Sequence, residues 1–124
     1  MIKSLARIGD KDSADNIKEL AQCFVRQLNP LKIFLFGSFA DGTYTDESDY
    51  DFYIVIDDGR DVGIASDQAY KSIRLIQRRS VDIVVGTSSR FDMISQTSGS
   101  MQIESVVGKK GILLYEKKTD NIKN

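Results

Sequence analysis

Two aspartates, Asp49 and Asp51, stand two positions apart at the start of the segment DYDFYIVI (residues 49–56), whose polar and apolar residues at first alternate as in a β-strand. Side chains two apart on a strand project from the same face, with Cα atoms roughly 6.5 to 7 Å apart. Burying two unpaired carboxylates beside an apolar core costs free energy, and a bridging divalent cation would remove that cost. The same spacing also arises by chance in a chain with 28% charged residues, so a solvated turn is the alternative.

Gly37 and Ser38 follow the apolar segment LKIFLF (residues 31–36), where a buried strand should end. Gly lets the main chain approach a phosphate closely, and backbone N–H groups together with the Ser hydroxyl can donate hydrogen bonds to an anion. The pair is therefore a candidate phosphate-binding turn, and an ordinary turn is the alternative.

A third carboxylate, Asp82, lies in VDIVV (residues 81–85), a segment of β-branched residues that predicts a strand. If this strand pairs with the one that follows Asp49, three carboxylates converge on the glycine turn. Such an arrangement fits a two-metal phosphoryl-transfer site, in which acids hold the metals and the metals stabilise the attacking and leaving oxygens. A solvent-facing aspartate at the start of a strand is the alternative.

The composition excludes several kinds of catalytic site. The 124 residues include no His and one Cys, so the chain has no Ser-His-Asp or Cys-His group, no His or Cys cage for zinc and no internal disulfide. A single Cys fits a reducing cytosol, and we expect a cytoplasmic protein. The carboxylates favour hard cations such as Mg²⁺.

The net charge of −1 hides an uneven distribution. Residues 46–61 contain seven acids and only Arg60 as a base, a local charge of −6, so the rest of the chain carries +5. The overall balance does not favour binding to duplex nucleic acid. No apolar segment is long enough for a signal peptide or for a membrane span of ~20 residues, so we expect no membrane association.

Hydrophobic periodicity predicts the elements that position these residues. The clearest helix covers residues 14–28, with Ser13 as the expected N-cap and Asn29-Pro30 as the stop. Other helices are predicted at about 64–79 and 101–107, the second ending at Gly108, with a short helical turn at 39–41. The predicted strands cover 31–36, 49–56, 81–85 and 112–116.

This order predicts an α/β fold, α+β in some schemes, with a mixed sheet flanked by helices. We expect a single domain over residues 1–124 with an ordered core of about 14–116. Because a short connection joins the first two strands, they should be antiparallel neighbours.

The segment GSFADGTYTDESDYDFYIVI, followed downstream by VDIVV, resembles the signature of the DNA polymerase β-like nucleotidyltransferase superfamily. That signature combines Gly-Ser, Asp-x-Asp on a strand and a third acid on a later strand, and here ten residues separate Ser38 from Asp49. The chain is similar to the minimal members over about residues 14–116, including the glycine turn into GILLYE. The resemblance implies a nucleotidyltransferase fold like the polymerase β palm.

The resemblance also implies roles for the candidate residues. Gly37 and Ser38 would bind the β- and γ-phosphates of a nucleotide, and Asp49 and Asp51 would ligate two Mg²⁺ ions. Asp82 would complete the metal site that activates the acceptor hydroxyl, as a ligand or as a general base. The implied reaction is in-line attack of a hydroxyl on the α-phosphate of an NTP, with ATP the expected donor, and release of pyrophosphate.

Minimal members often act as antitoxins of helical HEPN toxins. The resemblance therefore implies transfer of AMP onto a tyrosine of such a toxin, and an assembly with that partner.

One position departs from the pattern, because many minimal members have Arg where this chain has Asp41, and an acid there repels a triphosphate unless it points away. The second hypothesis is therefore a weakened or inactive binding module that neutralises its partner by contact. A DNA polymerase proper is disfavoured by the pI of 5.4 and the lack of a thumb-sized segment.

Five further side chains each have two interpretations. Lys71, Arg74 and Arg78 could reach a phosphate or could form a solvated basic face. Tyr44 and Tyr53 could stack on a base or could pack inside the fold.

Overall fold

The computed structural model describes residues 2–5, 8–96 and 102–118. Helices and strands alternate along these residues as the periodicity predicts, except that two helices stand between the third and fourth strands. In chain order they are α1 (Lys11–Leu28), β1 (Lys32–Phe36), α2 (Ser38–Asp41), β2 (Tyr50–Ile56), α3 (Val62–Ile73), β3 (Val81–Thr87), α4 (Ser88–Ser95), α5 (Ile103–Lys110) and β4 (Ile112–Glu116).

The strands form a mixed sheet in the order β3-β2-β1-β4. Strand β1 is antiparallel to both β2 and β4, whereas β2 is parallel to β3. The predicted antiparallel pairing of the first two strands is confirmed. Helix α3 carries the chain back across the sheet, which is the kind of crossover that a parallel pair needs.

Side chains of β2 alternate between the two faces of the sheet, as predicted. Phe52 and Ile54 pack in the larger hydrophobic cluster, together with residues of α1 and α3. Tyr53 and Val55 pack in a smaller cluster on the other face, which includes Phe91 of α4 and residues of α5. Because Asp51 is two residues before Tyr53, its side chain belongs to this second face.

Helix α1 begins three residues before the predicted start. Asp10, and not Ser13, is the N-cap, because its carboxylate accepts hydrogen bonds from the Asp12 amide (3.2 Å) and the Ser13 hydroxyl (2.6 Å). The predicted stop is confirmed, since Asn29 adopts a left-handed conformation with φ of 49° directly before Pro30.

Helix α3 is shorter than predicted and ends at Ile73, so Arg78 lies beyond it. A contact between distant parts of the chain explains the difference. The side chain of Asn16 donates to the Ile76 carbonyl (3.0 Å) and accepts from the Arg78 amide (3.0 Å), so the chain after Ile73 is held in a turn.

The predicted stop at Gly108 is wrong, because α5 continues to Lys110. A Cβ atom at Gly108 would lie 2.7 Å from the Cβ of Ser95, so this glycine allows close packing of α5 on α4. Residue 101, the predicted start of this helix, lies outside the described residues.

Helix α4 has no counterpart among the predicted helices, because its buried apolar residues, Phe91 and Ile94, are too few for a periodic signal. None of the helices within the described ranges is long and apolar enough to cross a membrane.

Candidate functional site

Two of the predicted aspartates lie side by side on the sheet. Asp51 of β2 and Asp82 of β3 are register partners in the parallel pair. Adjacent strands are ~4.8 Å apart and paired residues share a face, so both carboxylates project from the same surface. Asp51 is half-buried and Asp82 is exposed. The prediction that Asp82 converges on Asp51 requires β2 to pair with β3, and these two strands do pair.

Asp49 lies one residue before β2, which begins at Tyr50 rather than at the predicted Asp49. The ladder between β2 and β3 starts with Tyr50 opposite Val81, so the pairing stops short of Asp49. Asp49 is half-buried, and its charge helps to raise the pKa of Asp51. It therefore lies close to the pair without being fixed by the sheet.

The pKa of Asp51 is raised from 3.8 to about 6. Burial is the largest cause, followed by the negative charges of Asp82 and Asp49 and by a hydrogen bond with Asp82 that favours the protonated form. Within the described part of the chain, no Lys or Arg forms an ion pair with these three carboxylates. The cluster therefore carries negative charge that a cation could balance.

These carboxylates do not form a closed metal cage. Among residues 2–5, 8–96 and 102–118, no group of three or more Asp, Glu, His or Cys side chains is placed to hold a metal ion by itself. Mg²⁺ is commonly held by one or two carboxylates, with water and substrate phosphates as the other ligands. Paired carboxylates with a third nearby fit that open kind of site.

The Gly37-Ser38 turn lies against the same carboxylates. Gly37 has φ of 74° and ψ of −155°, a conformation that essentially only glycine adopts. A Cβ atom at this position would overlap Oδ2 of Asp51. The main chain therefore passes directly beside the Asp51 carboxylate, and the predicted phosphate-binding turn is adjacent to the aspartate pair.

Asp41 is engaged in its own turn, at the opposite end of α2 from Gly37. Its Oδ1 accepts hydrogen bonds from the Thr43 hydroxyl (2.6 Å) and the Thr43 amide (3.0 Å). The hydrogen bonds from Thr43 are the main cause that lowers the pKa of Asp41, and the charge of Lys110 contributes less. The acid at this position is therefore exposed and ionised, and its carboxylate is held by Thr43.

The basic residues predicted for the second helix lie on the other side of the sheet. Lys71 pairs with an aspartate of its own helix (2.9 Å), and Arg78 approaches Glu19 of α1 at 4.0 Å. Helix α3 packs with α1 on the face opposite Asp51, and the exposed Arg74 follows its last residue. This placement supports a solvated basic surface and not a phosphate site.

Both tyrosines considered for base stacking pack against other side chains of the fold. Tyr53 is fully buried, and its hydroxyl donates to Oε2 of Glu104 at 2.8 Å. Tyr44 stacks on Phe39, with ring centroids 4.3 Å apart and planes inclined by 9°. Tyr53 is therefore closed to a base, whereas Tyr44 is half-buried with one face of its ring stacked on Phe39.

A basic residue beside the site escapes the sequence patterns. Arg79 lies three positions before Asp82 and contacts the loop that leads to Asp49. It is the last residue of the helix predicted at about 64–79 and lies between α3 and β3 in the structure, so only its closeness in sequence to Asp82 indicates a link to the site.

A family model and several chains of solved structures match this protein. The model described as Polymerase beta, Nucleotidyltransferase matches residues 18–120. A protein from Sulfolobus solfataricus, described as a nucleotidyltransferase, is 21% identical with a TM-score of 0.53, over 83% of this chain and 79% of that chain. A toxin–antitoxin structure with AMP-PNP is 22% identical with a TM-score of 0.58, over 82% of this chain and 74% of that chain. No curated protein matches the chain significantly.

Proposed function

Because the chain belongs to the polymerase β nucleotidyltransferase family, we propose that it transfers a nucleoside monophosphate from an NTP to a hydroxyl group. The observation that carries this proposal is the pairing of Asp51 with Asp82, with the main chain at Gly37 directly beside Asp51. Metal-assisted phosphoryl transfer depends on carboxylates that hold the metal and on donors that orient the phosphates.

The proposed reaction is an in-line displacement at the α-phosphorus. The acceptor oxygen forms a new bond to the α-phosphorus. At the same time, the bond between the α-phosphorus and the oxygen that bridges to the β-phosphate breaks, and pyrophosphate leaves with the electron pair. Backbone N–H groups of Gly37 and Ser38, together with the Ser38 hydroxyl, would hold the β- and γ-phosphates. Asp82 would act as a metal ligand or would take the proton of the acceptor hydroxyl.

Asp49, Asp51 and Asp82 are the residues that would hold Mg²⁺, with two ions expected. Bound Mg²⁺ would neutralise phosphate charge and make the hydroxyl easier to ionise. Asp51 must be ionised to bind a cation, and a pKa of about 6 leaves it mostly ionised at neutral pH. The lack of an ion pair to these carboxylates within the described residues supports a cation as their counter-charge.

We propose ATP as the donor and a tyrosine of a HEPN-type toxin as the acceptor, so that the protein acts as an antitoxin by AMP transfer. The sequence resemblance to minimal family members supports this assignment. The similarity in fold to a toxin–antitoxin structure with AMP-PNP supports both a protein partner and an adenine nucleotide.

The second candidate function is a binding module that neutralises its partner by contact, without transfer. Two observations favour it: Asp41 stands where many minimal members have Arg, and the described carboxylates do not by themselves form a three-residue metal site. The uncompensated charge around Asp51 opposes it, because a module that only binds has no need of a cluster that destabilises the fold.

Intact mass spectrometry separates the two functions. The protein and the product of the neighbouring reading frame are incubated with Mg²⁺ and each NTP in turn. Transfer predicts that the partner gains the mass of one or more nucleotides, and that Asp51→Asn abolishes this gain. A partner that stays unmodified, yet is bound and inactive with wild type and Asp51→Asn alike, would support the binding module instead.

A further inference from the structure

A single arginine, Arg79, contacts the loop of residues 45–48, which leads to Asp49. Nη1 of Arg79 lies 3.1, 3.0 and 2.8 Å from the carbonyl oxygens of Thr45, Asp46 and Ser48, respectively. Carbonyl groups of a surface loop would otherwise bond to water. Because three of them converge on one guanidinium, this side chain holds residues 45–48 together with the hydrogen bonds that Thr45 and Ser48 form within the loop.

The same guanidinium packs on the rings around the phosphate-binding turn. Its central carbon lies 5.0 Å from the centroid of Phe39 and 5.7 Å from that of Tyr50. The two rings meet edge to face, with centroids 5.0 Å apart. Phe39 directly follows Ser38, and Tyr50 lies between the two aspartates of the Asp-x-Asp pair, so Arg79 connects both parts of the candidate site.

Arg79 is also connected to the third carboxylate through the main chain. The residue that follows it, Ser80, accepts a hydrogen bond from the Tyr50 amide at 3.0 Å, just before the β2–β3 ladder begins. The ladder fixes Asp51 opposite Asp82. It does not reach Asp49, whose place depends on the loop that Arg79 holds.

We propose that Arg79 is a positioning residue of the transfer site, which holds the 45–48 loop so that Asp49 stands beside Asp51. This inference rests on the proposed nucleotidyltransferase function. Arg79 acts through the loop, because its guanidinium is engaged by the three carbonyl groups and the two rings. A planar guanidinium suits the position, because it can stack on aromatic rings while its N–H groups donate in the plane.

The test compares Arg79→Met with Arg78→Met in the full chain. Both substitutions remove one positive charge at adjacent positions. Among the described residues, however, the Arg78 side chain makes only the 4.0 Å approach to Glu19, and it is well exposed. Two measurements need no acceptor: the Kd for Mn²⁺ by electron paramagnetic resonance, and the rate of cleavage after Glu47 by a Glu-specific protease.

We expect Arg79→Met to weaken Mn²⁺ binding by about tenfold, the usual effect of losing a group that orients metal ligands. We also expect cleavage after Glu47 to be at least about tenfold faster, because opening of the loop becomes more frequent. Arg78→Met should stay within about twofold of the wild type in both measurements. An Arg79→Met protein with wild-type Mn²⁺ affinity and wild-type cleavage would overturn the proposal.

If Arg79→Met fails to fold, Arg79→Gln decides the matter, because glutamine keeps an amide donor but loses the charge and the forked geometry. Wild-type values for Arg79→Gln in both measurements would overturn the proposal. A wild-type protein that binds no Mn²⁺ would contradict the proposed function, whereas the cleavage rate after Glu47 would still show whether Arg79 holds the loop.

Discussion

Asp51 and Asp82 face each other as register partners on adjacent parallel strands, and their carboxylates project from the same face of the sheet. Burial and the charge of Asp82 make ionised Asp51 unfavourable in the metal-free protein. A fold that keeps this pair together gives up stability at neutral pH, and a cation bound between the carboxylates would restore it. Several measurements follow from this relationship.

Replacement of Asp51 by Asn should stabilise the metal-free protein at neutral pH. Because folding raises the pKa of Asp51 from 3.8 to about 6, its contribution is most favourable below about pH 4 and is lost as the pH rises through about 6. After a discount for partial exposure, we expect Asp51→Asn to be more stable than the wild type by about 1 kcal/mol at pH 7.5. Urea unfolding in EDTA, at pH values below and above this range, measures the difference. Equal stability at pH 7.5 would contradict the prediction.

Metal binding should stabilise the wild type but not the variants that lack the carboxylate of Asp51 or of Asp82. An ion present at about 100 times its Kd stabilises the folded state by about 2.7 kcal/mol. We expect thermal unfolding with Mn²⁺ to show this shift for the wild type, and to show most of it lost in Asp51→Asn and Asp82→Asn. Asp92→Asn, on the exposed surface of α4, is the matched control and should keep the shift. A full shift in all three variants would place the metal elsewhere.

Substitutions at Gly37 and Gly42, which both have positive φ, distinguish the effect of backbone strain from the effect of contact with Asp51. A Cβ atom at Gly37 would overlap the Asp51 carboxylate, whereas at Gly42, with φ of 86°, it would meet no atom within 4 Å. We expect Gly42→Ala to cost about 1 kcal/mol of unfolding free energy, and Gly37→Ala about 2 to 4 kcal/mol. Only Gly37→Ala should also weaken Mn²⁺ binding. Identical effects of the two substitutions on Mn²⁺ affinity would be evidence against the close approach of this turn to Asp51.

Tyr53 and Gly86 should be energetically coupled. A Cβ atom at Gly86 would overlap the Tyr53 hydroxyl, which donates to the buried carboxylate of Glu104. Gly86→Ala should destabilise by about 2 kcal/mol through overpacking, and Tyr53→Phe by about 1 to 2 kcal/mol, because Glu104 loses a donor. In the double variant the hydroxyl is gone, so the loss should be smaller than the sum by about 1 kcal/mol. Additive losses in urea unfolding would show that the two positions do not interact.

Asp41 should have little effect on nucleotide affinity. Its carboxylate is exposed and bonded to Thr43, and Asn can accept the same hydrogen bonds without the charge. We expect Asp41→Asn to lower the KM for ATP by no more than about threefold, because solvent screens an exposed charge strongly. Steady-state transfer assays measure this ratio. A decrease of tenfold or more would mean that Asp41 repels the triphosphate directly.

The strands that carry the candidate site could be predicted because each is marked by a local sequence pattern. Apolar runs end at Gly37 and begin after Asp49, and β-branched residues surround Asp82, so the strands were visible in the residues alone. The position of Asp82 opposite Asp51 depends on which strands pair, and that is a property of the whole sheet.

Other features depend on contacts between residues far apart in the chain. The end of α3 is determined by the side chain of Asn16, sixty residues from the Ile76 carbonyl that it binds. The extension of α5 through Gly108 depends on packing against Ser95. The contacts of Arg79 join three segments that meet only in the folded chain, so no local pattern could predict them.

The most direct measurement follows the phosphorus atoms of ATP. The protein is incubated with its partner, Mg²⁺ and ATP that carries a radioactive label in either the α- or the γ-phosphate. We predict that the partner acquires the α-label only, that pyrophosphate is released in equal amount, and that Asp51→Asn and Asp82→Asn abolish both. Transfer of the γ-label, or labelling that is unchanged in Asp51→Asn, would contradict nucleotidyl transfer at the Asp51–Asp82 pair.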